Sequence, residues 1–321
     1  MTPAIIQCIG PELDRFQGYL DEALRSRVPL LDSILTYIAK QKGKQLRPMF
    51  VLLCANLGGP VNDRSHRAAL FVELLHCSSL VHDDVVDEAL RRRGAFAINA
   101  LWKNKTAVWT GDYLFTRSVL LLLEHLDHHS LKLFAAAIGK IIEGELLQMD
   151  QSRKQKWQED VYYEIIRGKT ATLLGAACAA GAGSTFADEA AWRKLYAFGE
   201  QLGMAFQIRD DLLDYNSADI GKPVGNDIQE RKVTLPLIYT LQHCGPGLRK
   251  VLLRIVRRDN RNKEKVAWLN EQVREHGGMA YAEEKMRFFK DQALQILLEF
   301  PNTPARVALE DLVHYTVGRD R

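Results

Sequence analysis

Apolar residues recur at three- and four-residue intervals along much of this chain: Leu70, Phe71, Leu74, Leu75 and Leu80, then Leu131, Phe134, Ile138, Ile141 and Ile142. That spacing puts them on one side of a helix, whereas strict alternation over a strand's length is hard to find anywhere. The prolines agree. None of the ten lies between Pro60 and Pro223, a gap of 162 residues rich in Ala, Leu, Glu and Lys. Proline removes a helix hydrogen bond and clashes with the preceding turn, so such a gap favours helices. Breaks fall near Gly58 to Pro60, Asp127 to His129, Gly181 to Ser184 and Ser217 to Asn226, none long or biased enough to be an interdomain linker. The pattern predicts an all-α fold: one large helical domain over residues 1–321, with about 245–321 as a smaller helical cap of the same domain.

Charge interrupts this pattern twice. "LVHDDVVDEALRRRG" (80–94) and "FQIRDDLLDY" (206–215) each hold Asp-Asp-x-x-Asp beside apolar sequence, 127 positions apart. On a helix, residues four apart share a face, so Asp83 and Asp87 stack with Asp84 beside them, and Asp210, Asp211 and Asp214 repeat the arrangement. Like charges so placed repel, and the cost is tolerable if a hard cation sits between them. Oxygen-only ligands point to Mg²⁺, which keeps waters and shares its remaining positions with substrate phosphate. Two such faces turned toward each other would clamp a diphosphate through bridging metals, and Arg92 and Arg93 suit its oxygens. A single motif of this kind is usually a solvated helix face; the pair, the arginines and the compact clusters "GKQLRP", "RGKTA" and "GKPVGND" argue otherwise.

Composition narrows the class without changing it. The 47% hydrophobic and 26% charged fractions of the 321 residues are those of an ordinary globular protein. A net charge of +3 without a basic tail gives no reason to expect nucleic acid. Five scattered cysteines with no CxxC read as reduced thiols. The first residues lack a basic n-region, and the 11-residue stretch Leu173 to Gly183 is too short to span a bilayer. The expectation is a cytoplasmic protein, not integral to a membrane.

The order GKQLRP, ELLHCSSLVHDDVVD, RRRG, GDYL, GKTA, FQIRDDLLD, GKP and GND, from about Pro29 to Tyr239, resembles that of the trans-type isoprenyl (polyprenyl) diphosphate synthases, in particular medium- and long-chain members such as octaprenyl diphosphate synthases. The resemblance implies an isoprenoid-synthase bundle around a deep cavity, a homodimer, and Mg²⁺. It implies condensation of an allylic diphosphate with successive isopentenyl diphosphate units, releasing pyrophosphate. By position it implies metal ligation by Asp83, Asp84, Asp87, Asp210, Asp211 and Asp214. Lys44, Arg47, His76 and Arg93 match the isopentenyl diphosphate site; Arg92, Lys169, Lys222 and Lys232 match contacts to the allylic diphosphate. Thr170 and Gln207, with Lys169, fall at catalytic positions near the developing allylic cation. In the family the residue five before the first motif helps set the floor of the cavity; here it is Ser78, with Ser79 and Cys77 beside it, which implies a product beyond twenty carbons.

The chain departs from the family pattern after Asp87. Leu90 stands where an acidic residue is usual, Arg91 is additional, and Ala95 and Phe96 replace Lys-Pro, which leaves the local loop open. The basic end at Arg319 and Arg321 carries no assignment. Competing readings are a shorter-chain farnesyl or geranylgeranyl diphosphate synthase, an HD-type metal phosphohydrolase built on His82-Asp83, a non-catalytic subunit of a heteromeric synthase, and a terpene cyclase. The hydrolase leaves the second motif without a role, the degenerate subunit would be expected to lose a motif, and the cyclase has a different second motif.

Overall fold

The computed structural model describes residues 2–41, 43–92, 94–125, 127–154, 157–216 and 226–318. They are mainly helical, joined by short loops and one two-strand turn. The order opens with α1 (Pro3–Ala23), α2 (Pro29–Lys40), α3 (Leu46–Gly58) and α4 (Asp63–Val86). The strands β1 (Arg91–Arg92) and β2 (Ala95–Phe96) precede α5 (Ile98–Leu123), α6 (His128–Lys154) and α7 (Glu159–Ile166). A π-helical turn (Arg167–Ala171) joins α7 to α8 (Thr172–Gly183), followed by α9 (Glu189–Asn216) and α10 (Asn226–Gln229). The remainder is α11 (Leu235–His243), α12 (Pro246–Arg254), a second π-helical turn (Ile255–Asp259), α13 (Lys263–Glu275), α14 (Gly278–Leu298) and α15 (Pro304–Val317). No described helix is long and apolar enough to cross a membrane.

Contacts divide the chain into two compact units, one made of Met1–Ala135, Ala176–Tyr196 and Pro301–Asp311, the other of Ala136–Gly175, Ala197–Phe300 and Leu312–Arg321. In the first unit α4 packs along α5 and against α3. The start of α4 is fixed by a reciprocal cap: the Asn62 side chain accepts from the Ser65 backbone N–H, and Ser65 Oγ accepts from the Asn62 N–H. Asp127 caps α6 one way only, accepting from the Ser130 N–H at 3.1 Å and Oγ at 2.8 Å, while Arg64 grips both carboxylate oxygens at 3.0 and 3.1 Å. The Ala- and Gly-rich stretch predicted too short for a membrane is the interior helix α8, whose Gly181 lies so near the Val51 carbonyl that a Cβ there would fall 2.2 Å from the oxygen. In the second unit the core gathers Tyr162, Met204, Ile208, Leu212, Leu235, Leu269 and Val273 from α7, α9, α11 and α13.

The helical pattern overstates burial on α6. Phe134 is fully buried, but Ile142, Leu146 and Met149 are 55%, 60% and 45% exposed. Periodicity marks which positions share a face; it does not say that the face is covered.

Candidate active site: two aspartate motifs and their partners

In the first unit the carboxylates lie at the C-terminal end of α4. The helix dipole is unfavourable to anions there, so stability alone does not explain them. Asp87 is the capping residue itself, its N–H bonded to the Asp83 carbonyl at 2.8 Å, which keeps the predicted i, i+4 relation. The three acids differ in setting: Asp83 is half-buried, Asp84 buried and Asp87 exposed. Burial pushes the Asp84 carboxyl above its ordinary value, against the pull of Arg92, whose Nε donates to Oδ1 at 2.7 Å. Asn99 Nδ2 donates to the Asp84 and Ala89 carbonyls, fixing the turn that follows the motif.

That turn accounts for the departures after Asp87. Arg91 pairs with Phe96 and Arg92 with Ala95 in an antiparallel register, with Gly94 at φ +82° in the bend. The additional Arg91 lays its guanidinium 4.8 Å from the Phe96 ring centre, so two of the unusual residues contact each other. Arg92 faces Asp84, and Arg93 lies outside the described residues.

A pocket in the same unit is lined by Gln45, Glu73, His76, Cys77, Asp84 and Arg92, among others. His76 is thus placed with Asp84 and Arg92. Gly43 and Gln45, on either side of Lys44, also line it; Lys44 is exposed and Arg47 half-buried. Gln45 has φ +49°, an uncommon conformation for a residue with a side chain, at the start of α3. Ser78 is buried and donates to the Gly111 carbonyl on α5 at 2.8 Å, while Ser79 is half-buried. His82 contacts α5 through the Val108 carbonyl and Asp112, both at 3.3 Å. That leaves the His-Asp hydrolase reading without structural support.

In the second unit the motif occupies the last turns of α9. Asp210 is exposed, Asp214 half-buried and Asp211 buried. Asp211 Oδ2 accepts from Tyr162 Oη at 2.7 Å and Oδ1 from Gln207 Nε2 at 2.9 Å; Gln207 Oε1 in turn accepts from Thr170 Oγ1 at 2.7 Å. Burial raises the Asp211 carboxyl to about 7; its two donors oppose this, and Asp210 and Asp214 add to it. Asp227, at the end of "GKPVGND", was not assigned from the sequence. Its backbone N–H donates to Asp214 Oδ2 at 3.1 Å, and its carboxyl is pushed to about 8 by burial and then by Asp211 and Asp214. The signal available was an acid directly after a glycine cluster, too common a feature to single out. Lys232, paired with Glu230, lowers Asp227 only partly. Lys222 lies outside the described residues.

The π-helical turn presents Lys169 and Thr170 in different directions. Lys169 Nζ lies 2.6 Å from Glu145 Oε1 on α6, whereas Thr170 bonds Gln207 on α9. Such turns are uncommon and concentrate at functional sites. Two glycines allow this one: a Cβ on Gly168 would fall 2.7 Å from the Lys140 carbonyl, and one on Gly144 3.0 Å from the Lys169 nitrogen. Glu145 and Tyr162 were also absent from the sequence reading, because neither belongs to a charged motif.

The donor set is chemically specific. Both motifs offer carboxylate oxygen only, and at the second the carboxyls of Asp211 and Asp227 are raised to about 7 and 8, first by burial and then by neighbouring acids that the one nearby lysine does not offset. A hard divalent cation fits that imbalance. Among the described residues no three such side chains converge tightly enough to hold an ion alone.

Comparison with known proteins gives the same class. The polyprenyl synthetase family model matches residues 28–273, so the chain belongs to that family. It is 34% identical over 320 residues to the all-trans-nonaprenyl-diphosphate synthase (geranyl-diphosphate specific) of Rhodobacter capsulatus, covering 98% of this chain and 97% of that one. Octaprenyl diphosphate synthase of Escherichia coli is 34% identical over 305 residues, covering 94% and 93%. A crystal structure of a polyprenyl synthase from Caulobacter crescentus, complexed with calcium and isoprenyl diphosphate, superposes with a TM-score of 0.92 at 32% identity, covering 99% and 98%. The all-α fold expected from the sequence is the isoprenoid-synthase fold.

Proposed function

We propose that this enzyme is a trans-prenyltransferase that condenses an allylic diphosphate with successive isopentenyl diphosphate units into a long-chain all-trans polyprenyl diphosphate, releasing pyrophosphate at each step. One observation carries the reading: within a family of polyprenyl synthetases, both aspartate motifs are complete and the second is set among buried carboxyls that call for a divalent cation. The long-chain relatives support a long product over a farnesyl- or geranylgeranyl-length one.

In this reading Asp83, Asp84 and Asp87, and Asp210, Asp211 and Asp214, hold Mg²⁺, with Asp227 as a further acid in the second unit. When bound, the ions neutralise charge developing on the departing pyrophosphate. The calcium and isoprenyl diphosphate in the Caulobacter structure support cation and diphosphate binding here. Arg92, Lys169, Lys222 and Lys232 contact the allylic diphosphate. For three of them the partners are already acids, Asp84 for Arg92, Glu145 for Lys169 and Glu230 for Lys232, so substrate oxygens exchange with carboxylates. Lys44, Arg47, His76 and Arg93 bind isopentenyl diphosphate.

The allylic C–O bond breaks first. The double bond of isopentenyl diphosphate then forms the new C–C bond, and the proton lost afterwards goes to the released pyrophosphate, so no side-chain base is needed. Thr170 and Gln207, bonded to each other, keep oriented dipoles beside the carbon that carries positive charge. Ser78 and Ser79 leave room for a long product at the α4–α5 contact. We read both units as one domain of a cytoplasmic homodimer. The exposed Val108, Trp109, Phe115 and Leu123 of α5 support a partner surface covered by a second copy.

Incubation with labelled isopentenyl diphosphate, farnesyl or geranyl diphosphate and Mg²⁺, followed by extraction and chromatography, tests the reading. A ladder of prenyl diphosphates beyond twenty carbons is expected. Phosphate release without elongation, or a cyclic hydrocarbon product, overturns it.

A further inference from the structure

The ring of Tyr162 belongs to the apolar core of the second unit, with Met204, Ile208 and Leu212 in the same cluster, and phenylalanine would fill that space as well. Packing therefore explains the ring but not the hydroxyl. That hydroxyl donates to Asp211 Oδ2 at 2.7 Å, from a residue only 6% exposed to one only 5% exposed. The other oxygen, Oδ1, accepts from Gln207 Nε2 at 2.9 Å. The Gln207 amide has one workable orientation, because a carboxylate only accepts and so must face the NH₂ group. Its oxygen is thereby turned to the Thr170 hydroxyl, 2.7 Å away. Donors from three segments form a directed chain that ends on one carboxylate: Thr170 to Gln207 to Asp211, with Tyr162 closing from the other side.

We infer that Tyr162 is a positioning residue for the second aspartate motif: its hydroxyl, together with Gln207, pins the Asp211 carboxylate in a single orientation and so sets how the end of α9 presents Asp210 and Asp214 to a divalent cation with its diphosphate. The inference rests on the proposed reading of this motif as a Mg²⁺–diphosphate site. Held on both oxygens, Asp211 keeps its direction before any ligand arrives, and its remaining lone pairs serve the cation or the water a Mg²⁺ ion carries. A carboxylate fixed in advance needs no reorganisation on binding, whereas one that swivels must be ordered by the ligand. The α7 position also explains why the residue precedes the π-helical turn: Tyr162 and Thr170 bracket Asp211 and Gln207 from the two ends of one continuous helical segment.

The test is thermal melting of the full chain titrated with Mg²⁺ in the presence of inorganic pyrophosphate, alongside steady-state kinetics. Tyr162→Phe removes one oxygen atom from a buried site. It should lower the metal-free melting temperature only modestly and raise the Mg²⁺ concentration at half-maximal melting shift by about tenfold, the effect of losing a hydrogen bond to a charged group. At saturating Mg²⁺ the Michaelis constants for both substrates should stay within about twofold, with the loss in kcat. A wild-type Mg²⁺ midpoint in the folded variant overturns the inference. So does a lowered metal-free melting temperature with the midpoint unmoved, which would make the hydroxyl structural only. Should Tyr162→Phe fail to fold, Gln207→Met removes the other donor: a raised midpoint supports the inference and an unchanged one overturns it. Wild-type protein that shows the Mg²⁺–pyrophosphate shift, loses it in Tyr162→Phe and yet elongates nothing would sink the proposed reaction and leave this inference standing.

Discussion

Asp127 and the motif aspartates Asp84 and Asp211 are all buried acids, yet their environments push them in opposite directions. Burial alone would raise the Asp127 carboxyl, but hydrogen bonds from Arg64 and Ser130 hold it below its ordinary value. A carboxyl lowered in the fold gives stability that is complete above its unfolded pKa and is lost as pH falls through the folded one. Asp127→Asn should therefore destabilise the protein at pH 7 by about 2 kcal/mol, with the difference from wild type shrinking toward acid in melts run at descending pH. A pH-independent difference would mean that packing, not charge, is what the substitution removes. Asp83→Ala and Asp210→Ala should behave differently, because removing either acid relieves like-charge crowding. Helical circular dichroism should stay intact while turnover falls by orders of magnitude. Retention of more than about a tenth of activity at saturating Mg²⁺, a cost of only ~1.4 kcal/mol, would remove that residue from the proposed ligands.

At the scale of elements, function depends on where backbones approach closely. The π-helical turn at Arg167–Ala171 packs on α6 through Gly144 and Gly168, so Gly168→Ala places a methyl against the Lys140 carbonyl. The turn must move, at roughly 1–3 kcal/mol, and carry Lys169 and Thr170 with it. Activity should fall more steeply than the melting temperature; a stable, fully active variant would show that the approach is not needed. The α4–α5 contact is the second such place. Ser78 bonds the Gly111 carbonyl there, and Gly111 itself lies under the His82 ring. Ser78→Ala should cost about 1 kcal/mol and leave product length alone. Ser78→Phe should shorten the product toward fifteen or twenty carbons while elongation continues; an unchanged ladder on reversed-phase chromatography would move the limit to product length elsewhere.

At the scale of the whole molecule, α5 leaves Trp109 65% exposed, with Val108, Phe115 and Leu123 also solvent-facing. Isolated exposed apolar residues are ordinary, but several on one helix suggest a covered surface. Trp109→Glu should shift the proposed dimer to monomer in sedimentation velocity without altering its helical content. Wild-type protein that sediments as a monomer at micromolar concentration would refute the second copy.

The hydrophobic periodicity and the proline-free interval determined the helices, because both are local properties of a 3.6-residue repeat. The two Asp-Asp-x-x-Asp spacings placed their acids on one helix face for the same reason, since i and i+4 are neighbours on any helix. The coverage of Ile142 or Leu146 was not local, nor was the engagement of Asp84 by Arg92 across the β-turn. Tyr162 stands 49 positions from Asp211 and Glu145 24 from Lys169, and neither spacing carries a repeat that sequence could reveal. Asp227 joins Asp211 and Asp214 only because the chain returns after α9. Hydrogen bonds between distant segments form where packing brings them, so which acid is pinned, which is exposed and which donor holds each was decided by the tertiary structure alone.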